Sequence, residues 1–478
     1  MAEIPELDSR EAPRARRWDA VVLGSGIRAM VAAARISAAG HRVLVVEESA
    51  RSALPAALRE PFFLGGLRDG GVLDACLRLL TVPLIDRRRI EPERLAYQIA
   101  ADPYRLEVGH PTRTSEELVD WGLCESDAAR ALVRHVYEAS EIERRLLLEA
   151  PFVRLGRRLG GGRSAPGVGS HKRGLPGDVA SAEGELRRVL DAQTEALANL
   201  GRRSPTPEAR ARLLGLGLAG GAGFADEPPW LTDLLRKRVT ARFGDFRSVS
   251  GGFTLVSVSG QPGIRIDLTG ELWLGRALVL AAPPSALRDL YTLEPRRRAD
   301  PHAPIPSVLA EAPSRAYRAS FLFRLPTALL PEGMSGRLIL PRREPEESTV
   351  AITAFPSQAH PSRVDLVARA QLLVSDPAAL SDARSPLREQ VRARLQALMP
   401  FVEDDLASIE LEMPLWDSDD GWLEDPSPGR GWPSEIDLRL SARPPVFHLD
   451  RACVGGLGLE GDLLLGWRGG DAIAQELS

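Results

Sequence analysis

An α/β fold is predicted by three observations. The apolar run Asp19–Leu23 ends in a glycine turn and opens an alanine-rich stretch with helical spacing, and a second apolar run closes at Glu47 and Glu48. This order reads as strand, turn, helix and strand. Farther along, short alternating runs are interspersed with helical patterns at no fixed period, so solenoids and propellers find no support. Finally, 44% hydrophobic and 26% charged residues over 478 positions is the balance of a globular chain of two or three units, which excludes wholesale disorder and fibrous repeats.

Composition narrows the partners. With 61 basic and 65 acidic side chains the net charge is −4, which leaves no excess of positive charge to neutralise a phosphate backbone, so no nucleic-acid partner is expected. Lys172 and Lys237 are the only lysines, which disfavours Schiff-base chemistry. Cys76, Cys124 and Cys453 are odd in number and lack C-x-x-C spacing, so neither a disulfide framework nor a zinc site is expected. The seven histidines form no metal-ligand pair at helical spacing, and no metal is assigned. Residues 1–17 read as a polar leader rather than a secretory signal. The longest apolar stretch, Leu213–Phe224, is glycine-rich and too short to span a bilayer. A cytoplasmic location is expected, with contact at the periphery of a membrane left open and the oligomeric state unassigned.

The opening unit carries the clearest chemistry. Gly24, Gly26 and Ala29 fill the pattern G-x-G-x-x-G/A, with Ser25, Ile27 and Arg28 between them. The first position permits a tight turn, the second lets a diphosphate approach the backbone, and the third keeps helix against sheet. The free N–H groups at the helix start then favour an anion. Glu47 lies 23 positions after Gly24, close to the spacing of about 20 at which an acid accepts ribose hydroxyls. Glu48 reads as its solvated neighbour.

This segment resembles the FAD-binding start of the phytoene desaturase and amine oxidase superfamily, which reads VIGAG-x-x-G-L-x-A-A through to V-x-V-L-E. VFHLDRACVGGLGLEGDLLLGWRGGDAIAQEL at the C-terminus is similar to that superfamily's last FAD motif, and ALVLAAPPSAL at 277–287 to its returning strand and proline turn. The resemblance implies an FAD-binding Rossmann-like (GR2-type) nucleotide domain from 18–75, 230–295 and 440–478, interleaved with an α+β substrate domain from 76–229 and 296–439. It implies FAD as cofactor: Gly24, Gly26 and the first helix at the diphosphate, Glu47 at the adenosine ribose, Arg51 at a phosphate, and Asp450 with Gly456, Leu457, Gly458 and Leu459 at the ribityl end. The activity implied is dehydrogenation or isomerisation of an extended apolar small molecule with hydride transfer to flavin. The flavin supplies the redox chemistry, so no catalytic side chain is assigned.

The middle elements follow in order. Arg94–Ala100 and Tyr104–Val108 flank Asp102-Pro103 as a hairpin. Thr114 and Glu117 form a capping-box pattern, and apolar spacing from Leu118 through Leu148 predicts two helices broken near Gly122–Ser126. Residues 156–177 read as a surface loop. Trp230–Phe243 is helical with Gly244 as stop, and 246–249, 253–258 and 263–268 are strand-like. So are 317–325, 336–341 and 349–355, followed by helices at Val364–Leu373 and Leu387–Met399. His448 reads as a strand residue and Cys453 as a small turn residue. Trp416, Trp422 and Trp432 with the acids between them read as a packed surface loop.

Two departures qualify the resemblance. The pair of glycines that usually follows the ribose acid is replaced by Ala53 and Leu54, so that loop must take another path. The G-G-M/F that usually introduces the next helix is replaced by Glu227, Pro228, Pro229 and Trp230. These losses keep open a binding or scaffold protein on a degenerate flavoprotein fold, resembling Rab GDP-dissociation inhibitors. Amine oxidation stands third, because it relies on a lysine near the flavin.

Overall fold

The computed structural model describes residues 15–149, 182–224, 230–282, 316–402 and 436–478 apart from a few single residues and short breaks, with 153–154, 405–411, 416–417, 421–423 and 425 as isolated pieces. Residues 1–14 of the polar leader, the whole 156–177 loop with Lys172, the proline turn after Ala282, Glu227–Pro229 and Trp432 lie outside the described residues.

The fold is the α/β architecture expected. Strand β1 (Ala15–Leu23), helix α1 (Ile27–Ala38) and strand β2 (Val43–Glu48) form the opening βαβ unit. Its sheet runs Arg439–Ala442, Pro445–His448, Leu272–Leu280, β1, β2, Gly244–Val249. Every pair from Pro445–His448 to Gly244–Val249 is parallel. The buried runs of β1 and β2 suit a sheet covered on both faces. β1 has neighbours on both sides that come from later in the chain, so the glycine turn at its end sits where the strand order reverses, the usual place for a ligand in such sheets.

α1 is buried on nearly every side. It lies between the helix Leu231–Thr240 and the C-terminal helix Leu459–Leu477. Glycine makes the second contact that close: a Cβ at Gly466 would meet the Arg28 carbonyl oxygen at 2.6 Å, and one at Gly470 the Ala32 carbonyl oxygen at 2.9 Å. The two ends of the chain therefore form one layer.

The second sheet runs Ala407–Ile409, Ala316–Pro326, Arg363–Leu373, Val350–Pro356, Arg337–Leu340, Leu95–Ala101, Tyr104–Gly109. One face meets the helices Ser126–Glu149, Gly184–Leu197 and Pro207–Leu218 around Tyr97, Ile99 and Ile339. The other meets the helix Leu380–Leu398 around Phe321, Phe323 and Leu366. The hairpin about Asp102-Pro103 and the helix break before Ser126 are as predicted.

Two expectations fail. Residues 364–373, expected as a helix, form the strand Arg363–Leu373, paired antiparallel on both sides. Its Ala, Leu and Gln content favours a helix locally, but burial on both faces between two strands overrides that preference. The helix after the hairpin starts at Pro111 with His110 as its cap, so Thr114 and Glu117 lie inside it. Thr114 Oγ1 accepts the Gly109 N–H and Glu117 accepts the Glu107 N–H, tying the helix to the strand instead. Proline at the first helical position was the better signal. Among the described residues no helix is long and apolar enough to cross a membrane.

Candidate functional site

The glycine turn is built as the motif requires. Gly24 has φ +109°, a conformation side chains rarely adopt, and its N–H donates to the Val46 carbonyl. Gly26 caps α1 without any side-chain hydrogen bond. The Ser25 N–H and hydroxyl point outward as donors, but both end on Asp417: N–H to Oδ1 at 2.7 Å and Oγ to Oδ2 at 2.6 Å. Asp417 is 3% exposed. Arg51 also turns to this residue, donating to its carbonyl and standing 3.8 Å from its carboxylate. The preceding Trp416 N–H donates to Glu48 Oε2 at 2.7 Å, and the Trp416 ring meets Phe253 edge-on.

Glu48 is thus a correction to the sequence reading. It is an anchor for the Trp416–Asp417 segment rather than a solvated neighbour, and burial pushes its carboxyl above the ordinary range. The Trp416 part of the presumed surface loop is likewise an inserted plug. In place of the missing glycine pair, Ser49–Ala53 forms a short helix that carries Arg51 inward.

Glu47 is the penultimate residue of β2 and is 5% exposed. Both of its oxygens are taken, by Arg236 Nη1 at 2.7 Å and Nη2 at 2.9 Å, with Ser248 Oγ at 3.3 Å. Burial works against its charge, but the Arg236 and Ser248 contacts outweigh it and hold the carboxyl below the ordinary range.

The C-terminal residues converge on the same region. Leu23, Leu280 and His448 end three adjacent strands in register, with His448 two residues before Asp450. Asp450 accepts the Ala452 N–H at 3.0 Å and Cys453 Sγ at 3.0 Å, capping the turn Arg451–Leu457. Gly458 has φ +57°, and a Cβ there would meet the Leu197 carbonyl oxygen at 2.2 Å. Leu459 starts the C-terminal helix, whose first turn holds two buried acids. Glu460 pairs with Arg212 through two 2.7 Å hydrogen bonds, and Asp462 receives Arg451, Asn199 and, at 3.6 Å, Arg28. Arg28 itself turns away from the motif to the Ala281 carbonyl. His448 is a buried strand residue, and burial lowers its pKa.

Sequence reasoning missed Asp417, Arg236 and Arg212. Asp417 lies 392 positions from Ser25, and no local pattern carries such a pairing.

Beyond the turn lies a cavity of about 1040 Å³, reached by Ile27, Phe62, Leu216, Arg369, Leu457 and Glu60. Glu60 caps the helix Leu231–Thr240, accepting the Leu231 N–H at 3.0 Å, the Thr232 N–H at 3.1 Å and Thr232 Oγ1 at 2.6 Å. Its complete burial nevertheless pushes the carboxyl up to about 7. Among the described residues no lysine lines the cavity, and Lys237 is exposed on the helix Leu231–Thr240. Among the described residues no group of His, Cys, Asp and Glu gathers in a form that could hold a metal ion.

The superfamily resemblance implies FAD, and the donor set tests it. A diphosphate at this turn needs the Ser25 donors and a place for negative charge. Here a carboxylate of the chain itself holds both donors and carries the negative charge. At Glu47, Arg236 already holds both oxygens and Ser248 adds a second bond on Oε1, which leaves one acceptor site on Oε2 for a ribose hydroxyl. In this conformation the residues do not fit the dinucleotide.

Comparison with solved structures gives the fold independently. An oxidoreductase from Methanosarcina mazei is 14% identical, with TM-score 0.54 over 94% of this chain and 99% of that one. Cyclohexylamine oxidase from Brevibacterium oxydans is 14% identical, with TM-score 0.53 over 96% and 99%. Putrescine oxidase, solved with putrescine bound, is 12% identical, with TM-score 0.54 over 95% and 98%. The fold is that of the amine oxidases. It is shared along nearly the whole length of these chains, while the identities are too low to carry activity across. No protein-family profile and no curated protein sequence matches the chain.

Proposed function

We propose that this chain is a ligand-binding protein on an amine-oxidase-type fold, in which the dinucleotide turn is closed by Asp417 and the adjoining cavity receives an elongated small molecule. The observation that carries this reading is the double hydrogen bond from Ser25 to Asp417. A buried carboxylate gripped by two donors at a helix start has the charge and the partners that a bound phosphate would have. The cavity suits a ligand with both apolar and polar parts. Leu58, Phe62, Phe63 and Leu216 give it apolar surface, while its charged lining mixes arginines such as Arg59 and Arg203 with acids such as Asp191 and Glu195.

The second reading is an FAD-dependent oxidoreductase resembling phytoene desaturases, acting on an extended apolar substrate. The Gly24 conformation and the place of Glu47 at the end of β2 favour it. It requires Asp417 to leave the turn. Amine oxidation has the weaker support of the two redox readings, since among the described residues no lysine lines the cavity.

An absorption spectrum after incubation with excess FAD and gel filtration separates these readings, with native mass spectrometry of gently purified protein to reveal a retained small molecule. The ligand-binding reading expects a colourless protein with a co-purifying mass. A stable flavin band in the unaltered protein overturns it in favour of the oxidoreductase.

A further inference from the structure

Leu84, Ile85 and Phe243 are 52%, 75% and 84% exposed, and they stand on two neighbouring turns. Leu84 and Ile85 open the short helix Leu84–Arg87, while Phe243 lies between the helix Leu231–Thr240 and the strand Gly244–Val249. Thr81 ties the turns together, its Oγ1 accepting from Arg238 Nη2 at 2.8 Å and Arg242 Nη2 at 3.4 Å. Arg238 Nε also donates to the Leu80 carbonyl.

The backbone here is strained to a purpose. Phe243 has φ +66° and Thr81 φ +54°, in the left-handed region that bulky or branched side chains avoid. Such strain persists where the surroundings impose it, and it concentrates at functional sites. At Phe243 the strained residue gains no burial in return, since the ring points into solvent.

Charge surrounds the apolar tip. Arg42 precedes Val43, which is in register with Gly244, so Arg42 stands beside Phe243. Arg42, Arg88, Lys237 and Arg242 are exposed. The facing acids are Asp86, whose charge reaches Arg238, Asp245, which accepts Trp18 Nε1–H, and Asp19, which accepts the Arg42 N–H at 2.8 Å. This excess of positive charge belongs to a chain of net charge −4. The tip lies at the starts of β2 and Gly244–Val249, the opposite end of these strands from the Gly24 turn.

We propose that this tip docks the chain onto an anionic lipid surface, with Leu84, Ile85 and Phe243 entering the interface and the arginines meeting acidic headgroups. Apolar side chains on projecting turns with a basic surround suit a charged, deformable plane. The proposal is independent of how the distant cavity is used.

Co-sedimentation of the full chain with phosphatidylcholine vesicles, with and without phosphatidylserine, tests it. Binding is expected on the anionic vesicles alone, and is weakened by salt. Ile85→Ser and Phe243→Gly should each lower partitioning by about tenfold, whereas Phe401→Ser, an exposed apolar residue elsewhere, should not. Phe243→Gly also relieves the positive φ, so its melting temperature should equal or exceed that of the unaltered chain, which separates lost docking from lost folding. Absence of sedimentation, equal binding to neutral vesicles, or full binding by both tip variants overturns the proposal. Retention by an acidic protein with no vesicle binding likewise overturns it.

Discussion

Asp417 lies 392 positions after Ser25 in the chain and accepts two hydrogen bonds from it, at 2.7 and 2.6 Å. An acidic side chain thus occupies the start of α1, where this class of fold ordinarily meets a phosphate.

Replacing Asp417 with alanine should free the Ser25 donors and leave Arg51 without that carboxylate. Loss of a buried, charge-assisted pair should lower stability by about 2–4 kcal/mol. The same variant should bind FAD at least about tenfold more tightly than the unaltered chain. Fluorescence quenching of FAD on titration measures this. Unchanged affinity in a folded Asp417→Ala protein would show that Asp417 is not what closes the turn.

Glu60 makes stability depend on pH. Its carboxyl is raised to about 7 in the folded protein, whereas an unfolded glutamate titrates near 4.3. Between these values the folded state holds the extra proton, so the contribution of Glu60 to stability is fully present below about pH 4.3 and is lost as pH rises through 7, by at most a few kcal/mol. Urea denaturation across this range should lose that part of its slope in Glu60→Gln. An identical slope in the variant rejects the assignment.

The Arg212–Glu460 pair is 2% exposed on each side. Glu460→Ala strands a buried guanidinium and should cost about 3–5 kcal/mol. Replacing both partners, as in Arg212→Met with Glu460→Leu, should cost less than the single change. Chemical denaturation of both single variants and the double variant gives the coupling.

Gly458→Ala must place a Cβ 2.2 Å from the Leu197 carbonyl oxygen at φ +57°. Strain and clash together should exceed about 2 kcal/mol. A larger drop in melting temperature for Gly458→Ala than for Gly40→Ala, where φ is also positive but nothing lies within 4 Å, would isolate the steric part.

The fold was legible where a local pattern carried it. Gly24, the alanine-rich α1 and the run ending at Glu47 specify the βαβ unit through nearest neighbours in sequence, and Asp102-Pro103 does the same for its hairpin. Arg363–Leu373 was misread because its residues are individually helix-compatible and only its neighbours on both sides make it a strand. The site was half legible. Residue type and spacing place Glu47 and Asp450, but nothing near Glu47 announces Arg236, 189 positions away. Nor does the polar segment around Trp416 reveal that its next residue closes the glycine turn.

The first sheet joins strands from the beginning, middle and end of the chain, and α1 rests against the last helix through Gly466 and Gly470. During synthesis β1 therefore leaves the ribosome long before Leu272–Leu280, its partner on one side, and α1 waits for the final nineteen-residue helix to cover it. This half of the protein is complete only once Leu459–Leu477 has been made, and until then it presents unpaired strand edges to chaperones and to neighbouring nascent chains.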